Sequence, residues 1–162
     1  MSRHPRSAGT PATVALERAG VPFELRTYEH RAGAPSFGLE AAEALGVDPA
    51  RVFKTLLVSA SRRLAVGIVP VSRILDLKAM AAELAEKKVT MAEPALAERT
   101  TGYVVGGISP LGQKRQLPTV LDESATGFAT ILVSGGRRGL DVELAPADLL
   151  ALTRGTTAAI AR

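Results

Sequence analysis

A mixed α/β (α+β) fold built on a largely antiparallel sheet is the class the sequence predicts, on three grounds. Two strand-like segments, 52–60 and 64–71, are separated only by Ser61-Arg62-Arg63, a hairpin-length connection that lacks an Asn-Gly type of turn. Helical segments are inserted among the strands without the regular alternation of a βαβ array. No dinucleotide-binding or P-loop fingerprint is present: Gly135-Gly136-Arg137-Arg138-Gly139 lacks the lysine-hydroxyl ending, so no nucleotide cofactor is expected.

Thr10 is placed to cap a helix over 11–19, with Pro11 suited to the first turn and Gly20 to the C′ position. Alternation of apolar and polar residues from Phe23 to Tyr28 predicts a half-buried strand with Tyr28 and His30 at its mouth. Beyond a loop holding Gly33, Pro35 and Gly38, an Ala/Leu-rich helix over 39–45 ends at Gly46, and Asp48-Pro49 begins another turn. Asp76 caps a helix from Leu77 to about Glu86, where Leu77, Met80, Ala81 and Leu84 recur at helical spacing, and Pro94 opens one that ends near Gly102. A loop-rich stretch over 102–118 precedes strands at 119–121, 129–134 and 139–144, a helix after Pro146 and a short strand near 157–160. Residues 1–9 read as a basic, disordered tail and 10–162 as a single domain, without internal repeat or interdomain linker.

A chain of 162 residues is long enough to bury roughly 70% of its unfolded surface. It contains no cysteine, which removes disulfides, a thiol nucleophile and cysteine-ligated zinc, and fits a reducing, cytoplasmic setting. Apolar runs are strand-sized, far short of the roughly 20 residues of a membrane span, so no membrane partner is expected. Net charge is +4, of which Arg3 and Arg6 in the tail supply two, leaving the rest mildly basic: compatible with RNA without demanding it. At 4% aromatic residues, a base-stacking platform is not visible, so any RNA contact would rest on phosphates and shape.

Lys54 is the residue that fits its pattern least, because its strand face also carries Val52, Leu56 and Val58. Such a lysine either snorkels past an edge strand to water or stands in a pocket as a cation for an anionic or ester-bearing ligand. Gly102-Tyr103-Val104-Val105-Gly106-Gly107-Ile108-Ser109-Pro110-Leu111-Gly112 is either a wide turn or a backbone cradle in which Gly106 and Gly107 present bare N–H groups to a developing oxyanion. From Ser134 to Asp141 the chain reads as a hairpin; used as a site, Ser134 and Asp141 would bond a substrate amine or ribose hydroxyl, and Arg137 and Arg138 would meet phosphate. Tyr28 could donate from its phenol, and Ser36 and Phe37 fall near the pocket mouth. A Ser-His-Asp arrangement could draw only on His30, since the other histidine, His4, lies in the tail; no triad spacing supports it. No His/Asp/Glu cluster has metal-ligand spacing, and no metal is expected.

Taken in order, Thr10-Pro11-Ala12, Thr27-Tyr28-Glu29-His30, Val52-Phe53-Lys54-Thr55-Leu56-Leu57-Val58, the stretch from Thr101 to Lys114 and that from Val133 to Asp141 resemble the YbaK/EbsC family of bacterial aminoacyl-tRNA deacylases, with the similarity running from about Thr10 to the C-terminus. The resemblance implies a barrel-like mixed sheet surrounded by helices, related to the editing insertion of some prolyl-tRNA synthetases. It implies removal of cysteine misattached to proline tRNA, acting beside prolyl-tRNA synthetase, with alanine or another small amino acid, or a noncatalytic tRNA- or synthetase-binding role, as alternatives. The family's lysine falls on Lys54, its tyrosine on Tyr28, its Gly-Gly loop on Gly106 and Gly107, and its serine and aspartate on Ser134 and Asp141. In the family's proposed mechanism the substrate's own thiol attacks the ester, which suits a chain without a sulfur nucleophile.

Overall fold

The computed structural model describes residues 8–33 and 37–162. Of the tail expected over 1–9, residues 1–7 lie outside the described residues, as does Ser36, while residues 8 and 9 are described. Ala8 is held to the fold: its N–H donates to Thr13 Oγ1 and its carbonyl accepts from Arg137.

Helix α1 (Pro11–Ala19) starts where the Thr10 hydroxyl accepts the Thr13 N–H, ends at left-handed Gly20, and buries Ala12 and Leu16. Strand β1 (Glu24–Thr27) follows, and α2 (Phe37–Leu45) begins ahead of the expected Leu39. Strands β2 (Phe53–Ser59) and β3 (Leu64–Pro70) form the predicted antiparallel pair, with Lys54 opposite Val69. Helix α3 (Leu77–Glu83) is capped by Asp76 as expected but stops short of Glu86, because Ala85 turns left-handed at φ 57° and the Glu86 N–H returns to the Ala81 carbonyl. The two-residue strand β4 (Thr90–Met91) is too short to leave a period in the sequence. After α4 (Pro94–Thr101) come β5 (Thr119–Asp122), β6 (Ile131–Arg137), β7 (Leu140–Leu144), α5 (Pro146–Thr153) and β8 (Thr156–Ala158).

The strands form two sheets, β1-β7-β6 and β4-β2-β3-β5-β8. Pairing is antiparallel except for β3 with β5 and β5 with β8, the mixed and largely antiparallel arrangement predicted. Barrel closure is incomplete: an isolated bridge between Val52 and Leu132 joins the two sheets.

The main core lies between the sheets, where Leu16, Phe53, Ile68, Leu121, Ile131, Val142 and Leu149 meet. A second layer packs α3 on the larger sheet through Val58, Val69, Met80, Val120 and Ile160, and a third seats Ala41 and Ala42 of α2 on Val52, Val71 and Leu132. Odd and even positions of β2 therefore face different layers: Phe53 and Leu57 look one way and Val58 the other.

Candidate active site

A cavity of about 390 Å³ opens along the free edge of β2 and is walled by α2, α4, the 105–108 loop and the β6-β7 hairpin. Strand β4 pairs β2 only at Val58 and Ser59, so the edge from Phe53 to Leu56 has no strand beside it on that side. The hydrogen-bond phase is set by the Val71 N–H on the Val52 carbonyl and the Ala60 N–H on the Arg63 carbonyl, each 2.8 Å. Even-numbered β2 residues thus turn their peptide groups to β3, and Thr55 turns its own toward the cavity. Because the cavity follows the edge, it collects side chains from both faces of the strand, Lys54 from one and Phe53 and Leu57 from the other.

Tyr28, Lys54, Gly106, Ser134 and Asp141 all line this cavity. The hairpin register explains the last two: Ser134 and Asp141 are direct cross-strand partners, which puts both side chains on one face. Lys54 forms no ion pair among the described residues, and partial burial lowers its pKa from the usual lysine range. Its ammonium therefore stands in an apolar cavity without an internal counter-ion, where its field is least screened.

Asp141, 5% exposed, is pushed by burial up to about 7, an effect that Arg26 across the β1-β7 pair opposes in part. The Tyr28 phenol is pushed up to about 12, first by burial and then by the negative charges of Asp141 and Glu40, so it remains a hydrogen-bond donor at neutral pH. The raised Asp141 pKa has a stability consequence. Between about pH 4 and pH 7 the unfolded chain binds fewer protons at this site than the folded one, so the contribution of Asp141 to stability falls as pH rises through that window. Urea titrations at several pH values are expected to show this loss in the wild type and its removal in Asp141→Asn; equal pH slopes for the two proteins would refute it.

The Gly106–Gly107 loop departs from the expectation of two bare amides. The Gly107 N–H donates to the Val104 carbonyl at 2.9 Å, and a Cβ there would come within 2.7 Å of the Arg137 backbone, so Gly107 lets the loop pack on the hairpin. The Gly106 N–H has no acceptor among the described residues. Its peptide plane is held from behind: Arg138 donates from Nε and Nη2 to the Val105 carbonyl at 2.9 and 2.7 Å, while the Val105 N–H donates to Glu98 at 2.8 Å. In a trans peptide the N–H points opposite to the carbonyl, so this clamp aims the Gly106 N–H away from Arg138.

Arg137 and Arg138, expected as phosphate contacts, are engaged within the protein. Arg138 lies over the Phe37 ring at 4.8 Å in addition to its bonds to Val105, and Arg137 donates to the Ala8 carbonyl at 3.2 Å. His30 is joined to Glu40 (Nδ1 to Oε1, 2.7 Å) and does not line the cavity. No group of three or more His, Cys, Asp or Glu able to hold a metal occurs among the described residues, and no helix among them is long and apolar enough to cross a membrane. Sequence reasoning missed Thr55, whose Oγ1 is buried without a hydrogen-bond partner among the described residues, and the apolar wall of Ala92, Pro94 and Ala97. An unpaired strand edge leaves no mark in a sequence.

The cavity thus brings together one lysine, one buried aspartate, a phenol and the Gly106 backbone, with no group of metal-ligating side chains among the described residues. The chain belongs to the aminoacyl-tRNA editing domain family, whose profile matches residues 35–152. It is 38% identical over 162 residues, 99% of this chain and 98% of the relative, to a protein of Enterococcus faecalis (strain ATCC 700802 / V583) that bears the provisional name Cys-tRNA(Pro)/Cys-tRNA(Cys) deacylase EbsC. A crystal structure provisionally described as a trans-editing enzyme for prolyl tRNA synthetase superposes with a TM-score of 0.84 at 25% identity, covering 99% of each chain. The structure of a protein designated APE2540 shares the fold at 23% identity and a TM-score of 0.83, over 94% of this chain and 99% of the other.

Proposed function

We propose that this protein is a cytoplasmic trans-editing deacylase that removes cysteine from Cys-tRNA(Pro), working beside prolyl-tRNA synthetase. The observation that carries the reading is the unpaired Lys54 ammonium in the same cavity as the Gly106 amide, Tyr28, Ser134 and Asp141. Family membership supports the reaction class and the Enterococcus relative the amino acid.

In this mechanism the thiolate sulfur of the bound cysteinyl group attacks its own ester carbonyl. The carbon–oxygen bond to the ribose breaks, the ribose oxygen takes up the proton that the thiol gave up, and cysteine departs as a thiolactone that water opens. The protein need only orient and stabilise: Lys54 holds the terminal adenosine and its phosphate, and the Gly106 N–H meets the oxyanion. Asp141, with Ser134 and the Tyr28 phenol, receives the α-amino group. Good alignment of thiol and carbonyl can supply roughly 7 to 11 kcal/mol of the barrier.

The test is release of amino acid from Cys-tRNA(Pro), Ala-tRNA(Pro) and Pro-tRNA(Pro), with and without prolyl-tRNA synthetase. Loss of cysteine alone is the expected result, and a serine-charged tRNA, isosteric but without the thiol, should survive. Faster loss of alanine would shift the specificity to a smaller side chain. No release from any substrate would leave a noncatalytic binding role.

A further inference from the structure

A second pocket, of about 420 Å³, lies between the β2-β3 hairpin, α4 and the segment leading into β5, and its lining includes Arg62, Arg63, Arg115, Ser59, Thr100 and Gln116 but no carboxylate. Arg63 is fixed in place, donating to the Leu84 carbonyl at 2.7 Å and to Glu86 at 3.1 Å. Arg62 and Arg115 are exposed and form no ion pair among the described residues. Two uncommitted guanidinium groups around one concavity match an anion with several oxygens, because each can bind such a group through two parallel N–H donors.

The position of this pocket says which anion. Helix α4 is the wall it shares with the catalytic cavity: Pro94 and Ala97 face the cavity, whereas Leu96 and Thr100 face the second pocket. Strand β2 runs past both, with Leu57 lining the first and Ser59 and Ala60 the second. From Lys54 to Ala60 the strand covers about 20 Å, the reach of a few nucleotides. None of the exposed large apolar side chains among the described residues, Leu39, Ile74, Met91 and Val104, lines the second pocket; its apolar lining comes from Leu64, Leu96, Leu117 and Pro118, beneath a rim of arginines.

We propose that this pocket binds the sugar-phosphate backbone of the RNA whose 3′ end occupies the catalytic cavity, a few nucleotides upstream of the ester. The inference rests on the deacylase reading for its ligand and places the phosphate grip on Arg62 and Arg115, opposite in function to the internally engaged Arg137 and Arg138. Thr100 and Gln116 add neutral donors at the rim.

The experiment uses the 162-residue protein and an R62Q/R115Q double variant, both substitutions falling on exposed side chains that form no ion pair among the described residues. Binding of unacylated tRNA(Pro) is read by fluorescence anisotropy across a salt series, beside deacylation of Cys-tRNA(Pro) and of cysteine esterified to a CA dinucleotide. The double variant should bind tRNA on the order of tenfold more weakly at low salt. Its plot of log affinity against log salt should flatten by about 1.4 if the two phosphates belong to single-stranded RNA and by about 1.8 if they belong to duplex. Deacylation of the dinucleotide ester should not change. Unaltered tRNA affinity and slope, or intact tRNA binding with lost binding to prolyl-tRNA synthetase, would overturn the proposal, as would a wild-type protein that binds no tRNA. A wild type that binds tRNA through these arginines but releases no amino acid would sink the deacylase reading and leave the phosphate site standing.

Discussion

Lys54→Ala is expected to lower single-turnover deacylation by about 10²-fold or more while the melting temperature stays near that of the wild type. The rate loss follows from what surrounds the ammonium. No carboxylate among the described residues lies within ion-pair distance of it, and partial burial lowers its pKa, so the cation is only weakly screened and acts on whatever charge forms in the cavity. Removing one preorganised charge or donor from such a site costs about 10²- to 10³-fold in rate. The fold tolerates the change because the side chain is only half-buried and its ammonium makes no bond that the sheet needs. Circular dichroism and thermal melts separate the two effects; a folded variant with an undiminished rate would remove Lys54 from the chemistry.

Gly106→Val is expected to fail on two counts. The backbone there is at φ +90°, which a β-branched residue adopts only under strain of roughly 1–3 kcal/mol. A Cβ would also stand 2.9 Å from the Phe37 ring and from Arg138 Nε, the groups that hold the loop against α2 and clamp the Val105 carbonyl. Shifting them rotates the Gly106 peptide, the one proposed to meet the oxyanion, with an expected loss of about 10²-fold or more in rate. Gly127→Ala is the matched control, since that glycine has open space at the Cβ position and no positive φ. Equal rates for Gly106→Val and Gly127→Ala would show that the Gly106 amide plays no part.

Much of this was legible in the sequence because the relevant signals are local. Thr10, Asp76, Gly20 and Gly102 cap the helices they were expected to cap, since capping needs only the chemistry of neighbouring residues. The face of Lys54 followed from the two-residue period of a strand, whereas the register that joins Ser134 to Asp141 depends on an irregularity between Ser134 and Arg137 that shifts the pairing set by Arg137 and Leu140 at the turn. What stayed hidden depends on partners distant in sequence. Strand β4 exists only because β2 offers it an edge at Val58 and Ser59. Whether an arginine is free is equally nonlocal: Arg138 finds the Val105 carbonyl, 33 residues away, and the Phe37 ring. The Gly107 amide, bare in a linear reading, closes on Val104 once the loop turns.

The two kinds of wall around the candidate active-site cavity have different evolutionary prospects. One side is main chain held at contact distance, where Gly106 and Gly107 admit no added Cβ without displacing Phe37, Arg138 or the hairpin backbone. The other is a patchwork of apolar side chains from α2, α4 and the segment between β4 and α4, among them the small Ala41, Ala92 and Ala97, with Met91 of β4 beside them. Substitutions among these residues alter volume without touching the Gly106 amide. Such a scaffold can drift from one amino acid to another by resizing a single face, so divergence in substrate choice among descendants should concentrate at positions 41 and 91–97 while the chemistry stays fixed.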